Sequence, residues 1–215
     1  MRKLRFAGGE LRRVLCVGAH CDDIEIGCGA TMLRLLRENP GLHVTWVVLS
    51  STAQRRREAL LSAKLFLGEA KGKRVQIRNF RDSYFPYQGG KIKDYINTLK
   101  AEPAPDLIFT HWRGDLHQDH RLVSELTWNA FRDHLICEYE IPKYDGDLGQ
   151  PNLFSEINES LLRQKIDYIL QSFKSQTAKP WFTSDTFEAL ARLRGVECAS
   201  KTKFAEAFHC RKMLL

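Results

Sequence analysis

Short β-rich apolar runs alternate along this chain with longer segments whose apolar residues fall at helical spacing. Leu11 to Ala19 is apolar and β-rich and predicts a first strand. From Gly27 to Glu38, Met32, Leu33, Leu35 and Leu36 fall on one helical face, and Asn39-Pro40-Gly41 stops the helix. His43 to Ser50 (HVTWVVLS) predicts a second strand, apolar enough to be buried on both faces. Ser51 or Thr52 is placed to cap the next helix, which runs through Glu58, Ala59 and Leu61 to Phe66 and ends at Gly68. Arg74 to Arg78 predicts a third strand, Ile92 to Lys100 a helix, and Pro105 to Thr110 a fourth strand. This alternation predicts an α/β fold, a mostly parallel sheet with helices on both faces.

The second half is less regular. Asp119 to His134 is predicted helical and Leu135 to Ile141 extended. Pro142 to Phe154, rich in Gly, Pro and Asp, reads as a long loop. Ser160 to Ser172 and Phe187 to Leu193 read as helices, and Phe204 to Leu215 as a final strand or docked tail. No linker divides the chain, so one domain over residues 1–215 is expected, at roughly 150 residues per domain. A chain of this size buries about 70% of its unfolded surface without disulfides.

Composition narrows the class. With 43% hydrophobic and 27% charged residues, wholesale disorder is excluded. Apolar runs such as Thr45 to Leu49 fall far short of the roughly 18 residues of a membrane span. Met1 to Glu10 is basic and lacks the apolar core of a signal peptide, so a cytoplasmic location is expected. None of the six cysteines forms a CxxC pair, which argues against a zinc knuckle or a thioredoxin-type centre and for reduced thiols. The net charge of +7 is scattered apart from Arg55-Arg56-Arg57 and Lys71-Gly72-Lys73-Arg74. It fits solubility or an anionic small substrate better than a nucleic-acid partner.

Two segments carry candidate chemistry. His20-Cys21-Asp22-Asp23 directly follows the first strand, and ligands of open α/β sheets bind outside the carboxyl ends of strands. Glu25 and Gly27-Cys28-Gly29 come next. Dinucleotide binding fails here, because GxGxxG is absent and two adjacent carboxylates repel a pyrophosphate. Two readings stand for this cluster alone: a His/carboxylate metal set suited to zinc, or a loop whose aspartates cap the following helix. His111 to His120 then gathers three histidines and two aspartates within ten residues, out of seven histidines in the chain. Such a gathering is costly unless something binds it. Three protein ligands with an open position suit a hydrolytic zinc site. His20, Asp23 and His120 are assigned as ligands. Asp22 remains as general base, and His117 as proton donor or oxyanion stabiliser. Asp115 or Asp119 is expected to orient the His117 imidazole.

Ala19-His20-Cys21-Asp22-Asp23, with Glu25, Gly27 and Gly29, resembles the AHPDD-x-E-x-G-x-G signature of the LmbE/PIG-L-like zinc deacetylases. Asp115 to His120 resembles the family's HxDH motif. Arg55-Arg56-Arg57-Glu58-Ala59 with Leu67-Gly68, and Asp82 after the third strand, are also similar, so the likeness covers roughly residues 12 to 135. Ala205 to His209 is similar more weakly. The resemblance implies a Rossmann-like three-layer sandwich, one zinc ion, and release of acetate from an N-acetylated sugar, most often an N-acetylglucosamine moiety. Carried over by residue, it implies ligands His20, Asp23 and His120, base Asp22, oxyanion stabiliser or acid His117, and substrate contacts Arg55 and Asp82. His209 is a further substrate-binding candidate. Two departures stand out: Cys21 replaces the usual Pro, and Asp115 stands where some relatives carry Tyr. Tyrosines bordering the long loop, such as Tyr144, are candidates for stacking on a sugar ring. Hydrolysis of another amide or sugar conjugate, and a non-catalytic binding module, are the competing readings. Two His and one Asp also accept Fe2+, Co2+ or Mn2+. A homo-oligomer is compatible with the sequence.

Overall fold

A computed structural model describes residues 11–213. The basic segment 1–10, read above for a leader, and residues 214–215, the end of the predicted tail, lie outside the described residues. Seven strands form one sheet: β1 (Arg13–Gly18), β2 (His43–Val48), β3 (Gly72–Ile77), β4 (Leu107–His111), β5 (Ile136–Tyr139), β6 (Leu153–Ile157) and β7 (Phe204–Cys210). Six α-helices connect or flank them: α1 (Asp23–Glu38), α2 (Ala53–Phe66), α3 (Gly89–Thr98), α4 (Gln118–Ala130), α5 (Glu159–Ser172) and α6 (Ser184–Glu197).

The strand order is β3-β2-β1-β4-β5-β7-β6. β1 to β5 run parallel, while β7 is antiparallel to both β5 and β6. The chain walks outward from β1 to β3 and then returns to place β4 on the other side of β1, in the register Val14↔Leu107 and Cys16↔Phe109. The strand order therefore reverses between β1 and β4, and a crevice opens outside their carboxyl ends at such a point. Alternate side chains of β1 feed two cores. Val14 and Cys16 pack with α1, α2, α5 and α6; Leu15 and Val17 pack with α3 and α4. This is the three-layer sandwich expected. Among the described residues no helix is long and apolar enough to cross a membrane.

Two elements differ from expectation. α1 starts at Asp23, one turn earlier than its apolar face predicts, and is broken at Cys28 (φ −142°, ψ 16°). Side chains from distant elements make the break. Lys165 of α5 donates to the Ile26 carbonyl (2.6 Å) that the break leaves open. Glu206 of β7 accepts the amides of Ala30 (3.0 Å) and Thr31 (2.6 Å), and the two charges pair at 2.6 Å. The second difference is β6, which lies partly in and partly beyond the predicted loop. It is a half-buried edge strand that pairs with β7 alone, Leu153 opposite Phe208.

Candidate active site

The ends of β1 and β4 are tied together directly. The Ala19 amide lies 3.0 Å from His111 Nε2, and His111 is wholly buried. The loop after β1 is also held to β2, by Leu49 N–H to Gly18 O and Ser50 N–H to Ala19 O. His20 N–H donates to Asp23 Oδ2 (2.6 Å), which turns the Asp23 carboxylate back toward the crevice. Asp22 occupies the N-cap position of α1 without a side-chain cap bond. The cap explanation for this acidic pair therefore does not hold: neither carboxylate is spent on the helix.

The partners of each imidazole assign its tautomer. His120 Nδ1–H donates to Asp115 Oδ2 (2.9 Å), which leaves Nε2 with a lone pair. His20 Nε2 faces Asp119 Oδ2 (3.3 Å) and Asp82 Oδ1 (3.1 Å), so its proton belongs there and Nδ1 is bare. The two bare nitrogens lie 3.1 Å apart. Asp23 completes the set, with Oδ2 3.4 Å from His20 Nδ1 and Oδ1 3.6 Å from His120 Nε2. Three electron-pair donors thus face one small space, which holds either one proton or one cation. Burial and the neighbouring His111 push the His120 pKa down to about 3, so its lone pair is available. Burial opposes charge on Asp23, but His120, His111 and His20 hold its carboxyl well below the usual range. Burial likewise opposes a charged His20, yet Asp23, Asp119 and Asp82 outweigh it and raise its pKa well above the usual value. Two imidazole nitrogens and one carboxylate, each oriented by a further carboxylate or amide, form a donor set that fits a divalent ion.

Ligand-type atoms gather within 4.8 Å of one another in three sets: His20/His117/His120, Asp23/His111/His120 and His20/Asp82/Asp119. The expected trio His20, Asp23 and His120 spans the first two. His117 is set apart by its own hydrogen bond. Its Nδ1 accepts the Asp119 amide (3.2 Å) as the cap of α4, so the ring proton sits on Nε2. His117 therefore presents a donor rather than a lone pair. Its pKa is lowered by burial and by the neighbouring His20, which keeps the ring neutral.

Asp22 lies beside this space, 6% exposed, and Arg55 Nη2 holds its Oδ1 at 2.7 Å. Burial raises the Asp22 pKa, while Arg55 works in the opposite direction. Arg55 starts in a helix capped by Thr52. It also binds Glu58 Oε2 (3.0 Å) and lies over the Phe173 ring at 5.2 Å. The arginine expected to touch substrate is thus committed to the carboxylate expected to act as base.

Other expected residues fall as follows. Asp82 is half-open at the mouth against His20, whose hydrogen bond lowers its pKa to about 2. Asp115 does not hold the His117 ring. Its Oδ2 serves His120 and Lys143 Nζ (3.0 Å), and only the His117 backbone amide reaches its Oδ1 (2.8 Å). Asp119 serves His20 and accepts the amides of Ser83 (2.7 Å) and Phe85 (3.1 Å), so it anchors the segment after β3. His209 joins none of the three sets. Its ring stacks on Trp112 at 4.4 Å, beneath Gly149. Cys21 turns its thiol onto the Ser50 carbonyl (3.3 Å), and burial pushes its pKa up to about 12, so it offers no thiolate. Sequence reasoning missed His111, which lies 3.0 Å from Asp23 Oδ2 and stacks on His120 at 3.9 Å. It also missed Lys143. The position of His111 as the last residue of a buried strand was the available signal for it; Lys143, in a loop, had none.

The profile of the family described as PIG-L: GlcNAc-PI de-N-acetylase matches residues 15–131, from β1 to just past α4. A curated relative, the uncharacterized deacetylase YaiS of Escherichia coli (strain K12), is 29% identical over 170 residues, covering 71% of this chain and 86% of that protein. Among solved structures, the N,N'-diacetylchitobiose deacetylase of Pyrococcus horikoshii superposes with a TM-score of 0.73 at 22% identity, covering 93% of this chain and 83% of its own. GalB, the 4-carboxy-2-hydroxymuconate hydratase of Pseudomonas putida KT2440, superposes nearly as well (TM-score 0.72, 17% identity, 95% and 98% covered). The architecture therefore serves more than one reaction, and the residues at the crevice must decide between them. The profile match spans more than half of the chain and contains His20, Asp22, Asp23, His117 and His120: the protein belongs to the PIG-L (GlcNAc-PI de-N-acetylase) family.

Proposed function

We propose that this protein is a metal-dependent N-deacetylase that hydrolyses the acetamide of an N-acetylamino sugar of the N-acetylglucosamine type. The observation that carries the reading is the convergence of His20 Nδ1, His120 Nε2 and the Asp23 carboxylate beside a further buried carboxylate and a proton-bearing imidazole. His20, Asp23 and His120 would hold the ion, with zinc the first candidate and Fe2+, Co2+ or Mn2+ the others. When bound, such an ion supplies Lewis acidity toward the acetamide carbonyl and toward water.

The chain's own groups supply the rest. Asp22, fixed through Oδ1 by Arg55, keeps Oδ2 to accept a proton from water as the new C–O bond forms. His117 Nε2–H donates to the carbonyl oxygen as negative charge develops there. The neutral tautomer is the useful one, and the Asp119 amide enforces it. Protonated Asp22 then returns its proton to the nitrogen as the C–N bond breaks, giving acetate and a free amine. Asp82, exposed at the mouth, is placed to bind a sugar hydroxyl. Asp115 acts behind His120 rather than on substrate.

The test has two parts. Elemental analysis should find about one metal ion per chain in the wild type and a loss in His120→Ala. Acetate release should then be measured on a panel of N-acetylated sugars and other amides. Asp22→Asn should retain the metal and lose at least a hundredfold in kcat, since positioned acid–base groups contribute roughly 10²–10⁴-fold. Full turnover by Asp22→Asn, or failure of the wild type to take up any metal, refutes the reading.

A further inference from the structure

Ten large apolar side chains are exposed among the described residues, and five of them stand at one place. Tyr84 (41%) and Tyr87 (84%) lie in the segment after β3, Leu116 (55%) after β4, and Tyr144 (73%) and Leu148 (42%) after β5. The other five are scattered on α2, on α6 and at Met213. These three segments follow the carboxyl ends of the strands, on the edge of the sheet that carries the His/Asp cluster.

The segments are joined to one another and to the cluster. Gln118 Nε2 donates to Ser83 O (3.2 Å), and Ser83 N–H donates to Asp119, the partner of His20. Ser83 sits at φ +64°, a left-handed conformation that a serine adopts only when its surroundings hold it there. Asp119 supplies that hold and thereby aims Tyr84 and Tyr87. On the other side, Leu116 N–H donates to Asp147 (2.6 Å), and Lys143 joins Asp147 to Asp115 beneath His120. The rim is therefore pinned to the residues that orient His20 and His120.

We infer that this rim is a subsite for an apolar aglycone, an aryl or alkyl group carried by the amino sugar whose acetamide is cleaved; the inference rests on the deacetylase reading above. Tyrosine faces alone accept a sugar ring or an aryl ring. Leu116 and Leu148 decide between them. They have no hydrogen-bonding group and no flat face, so a sugar hydroxyl packed on them loses water without a replacement partner. An aryl or alkyl group packed there loses nothing and gains burial. Exposed apolar clusters of this kind mark binding surfaces, and this one adjoins the cluster without a break.

The test compares kcat/KM for methyl, phenyl and octyl 2-acetamido-2-deoxyglucosides on the metal-loaded wild type. Phenyl and octyl glycosides should exceed the methyl glycoside by about tenfold. The Leu116→Ser/Leu148→Ser variant should bring that ratio to about one, and Tyr87→Ser should reduce it. The ratio, not the absolute rate, is the readout. Equal values for the three glycosides in the wild type, or a ratio unchanged in the double variant, overturns the inference. If none of the glycosides is hydrolysed, the deacetylase reading fails. The rim is then judged separately, by calorimetric titration with phenyl and methyl glucosaminides. A tenfold tighter phenyl compound supports it, and equal Kd values overturn it. Binding to phosphatidylcholine vesicles that the double variant abolishes, without any glycoside preference, assigns the rim to a lipid surface and also overturns the inference.

Discussion

Glu206→Gln tests whether the break in α1 is built by the Lys165–Glu206 pair. Both side chains are buried, at 4% and 5% exposure, so the near-zero value of surface ion pairs does not apply. Glu206 accepts three donors: two backbone amides of α1 and the Lys165 ammonium. Glutamine keeps one acceptor oxygen and replaces the other by an NH2 group, which must face an N–H or the ammonium. Lys165 is left with the Ile26 carbonyl and no counter-charge. Breaking a buried pair from one side costs about 3–5 kcal/mol. Unfolding entropy of about 2.1 cal/mol/K per residue gives roughly 0.45 kcal/mol/K for the whole chain, so the melting point should fall by about 7–11 °C.

Urea denaturation of the metal-free protein measures the loss without the contribution of bound ligand. Lys165→Met supplies the second edge of a double-mutant cycle. Because the two side chains touch, the double variant should lose at least about 1 kcal/mol less than the two single losses combined. A Glu206→Gln variant within about 1 kcal/mol of wild type, or strictly additive losses, would refute this account of the break. The consequence reaches the site, because the half of α1 that precedes the break carries Asp22 at its start and Asp23 in its first turn.

Three further outcomes follow from the same geometry. Metal binding must displace the proton held between His20 and His120, so calorimetry in buffers of different ionisation enthalpy should show proton release near neutral pH. Asp115→Asn, which removes the anion behind His120, should weaken metal binding 10–100-fold by chelator competition, and unchanged affinity would rule out the tautomer assigned to His120. Glu25 is fully buried beneath the site, and desolvation lifts its pKa from 4.5 to about 8. A raised acid pKa means that the unfolded chain releases the proton first. The metal-free wild type should therefore lose about 1.36 kcal/mol per pH unit from pH 4.5 to 8, then level off, whereas Glu25→Gln should lack this slope; parallel stability curves would show that Glu25 does not titrate in this window. Gly195 packs its Cα against the Lys203 carbonyl, and a Cβ there meets backbone atoms that cannot rotate away. Gly195→Ala should cost about 1–3 kcal/mol in denaturant midpoint experiments.

The elements legible in the sequence are those whose burial is decided locally. β1, β2 and β4 are nearly all apolar because both faces are covered, and Thr52 announces α2 by capping it. The first turn of α1 is not legible, because the groups that interrupt the helix at Cys28 come from positions 165 and 206. β6 is not legible either, since an edge strand with a half-exposed face carries little apolar signal. The same division runs through the site. His20, Asp23 and His120 stand out because ligand-type residues cluster in short motifs. What each carboxylate does was hidden: Asp115 and Asp119 precede or follow His117 closely in sequence, yet their side chains turn to His120 and His20. Adjacency in a loop says little about partners, because the backbone at a helix start redirects successive side chains.

The topology accounts for why residues a hundred positions apart share one proton. β2 and β3 are added outward, so the loops after β1 and β4 have no strand between them and open onto the same crevice. Bringing two lone pairs and a carboxylate together there is unfavourable in itself. The surrounding charges are arranged to hold that condition rather than to relieve it. Asp115 and Asp119 keep the histidine protons on the far nitrogens, and Lys143 offsets the buried charge of Asp115 from the side away from the crevice. Stability comes instead from the two apolar layers beneath. A fold so supported can tolerate an electrostatically unsatisfied crevice, and a cation entering it finds donors that need no reorganisation beyond the loss of one proton.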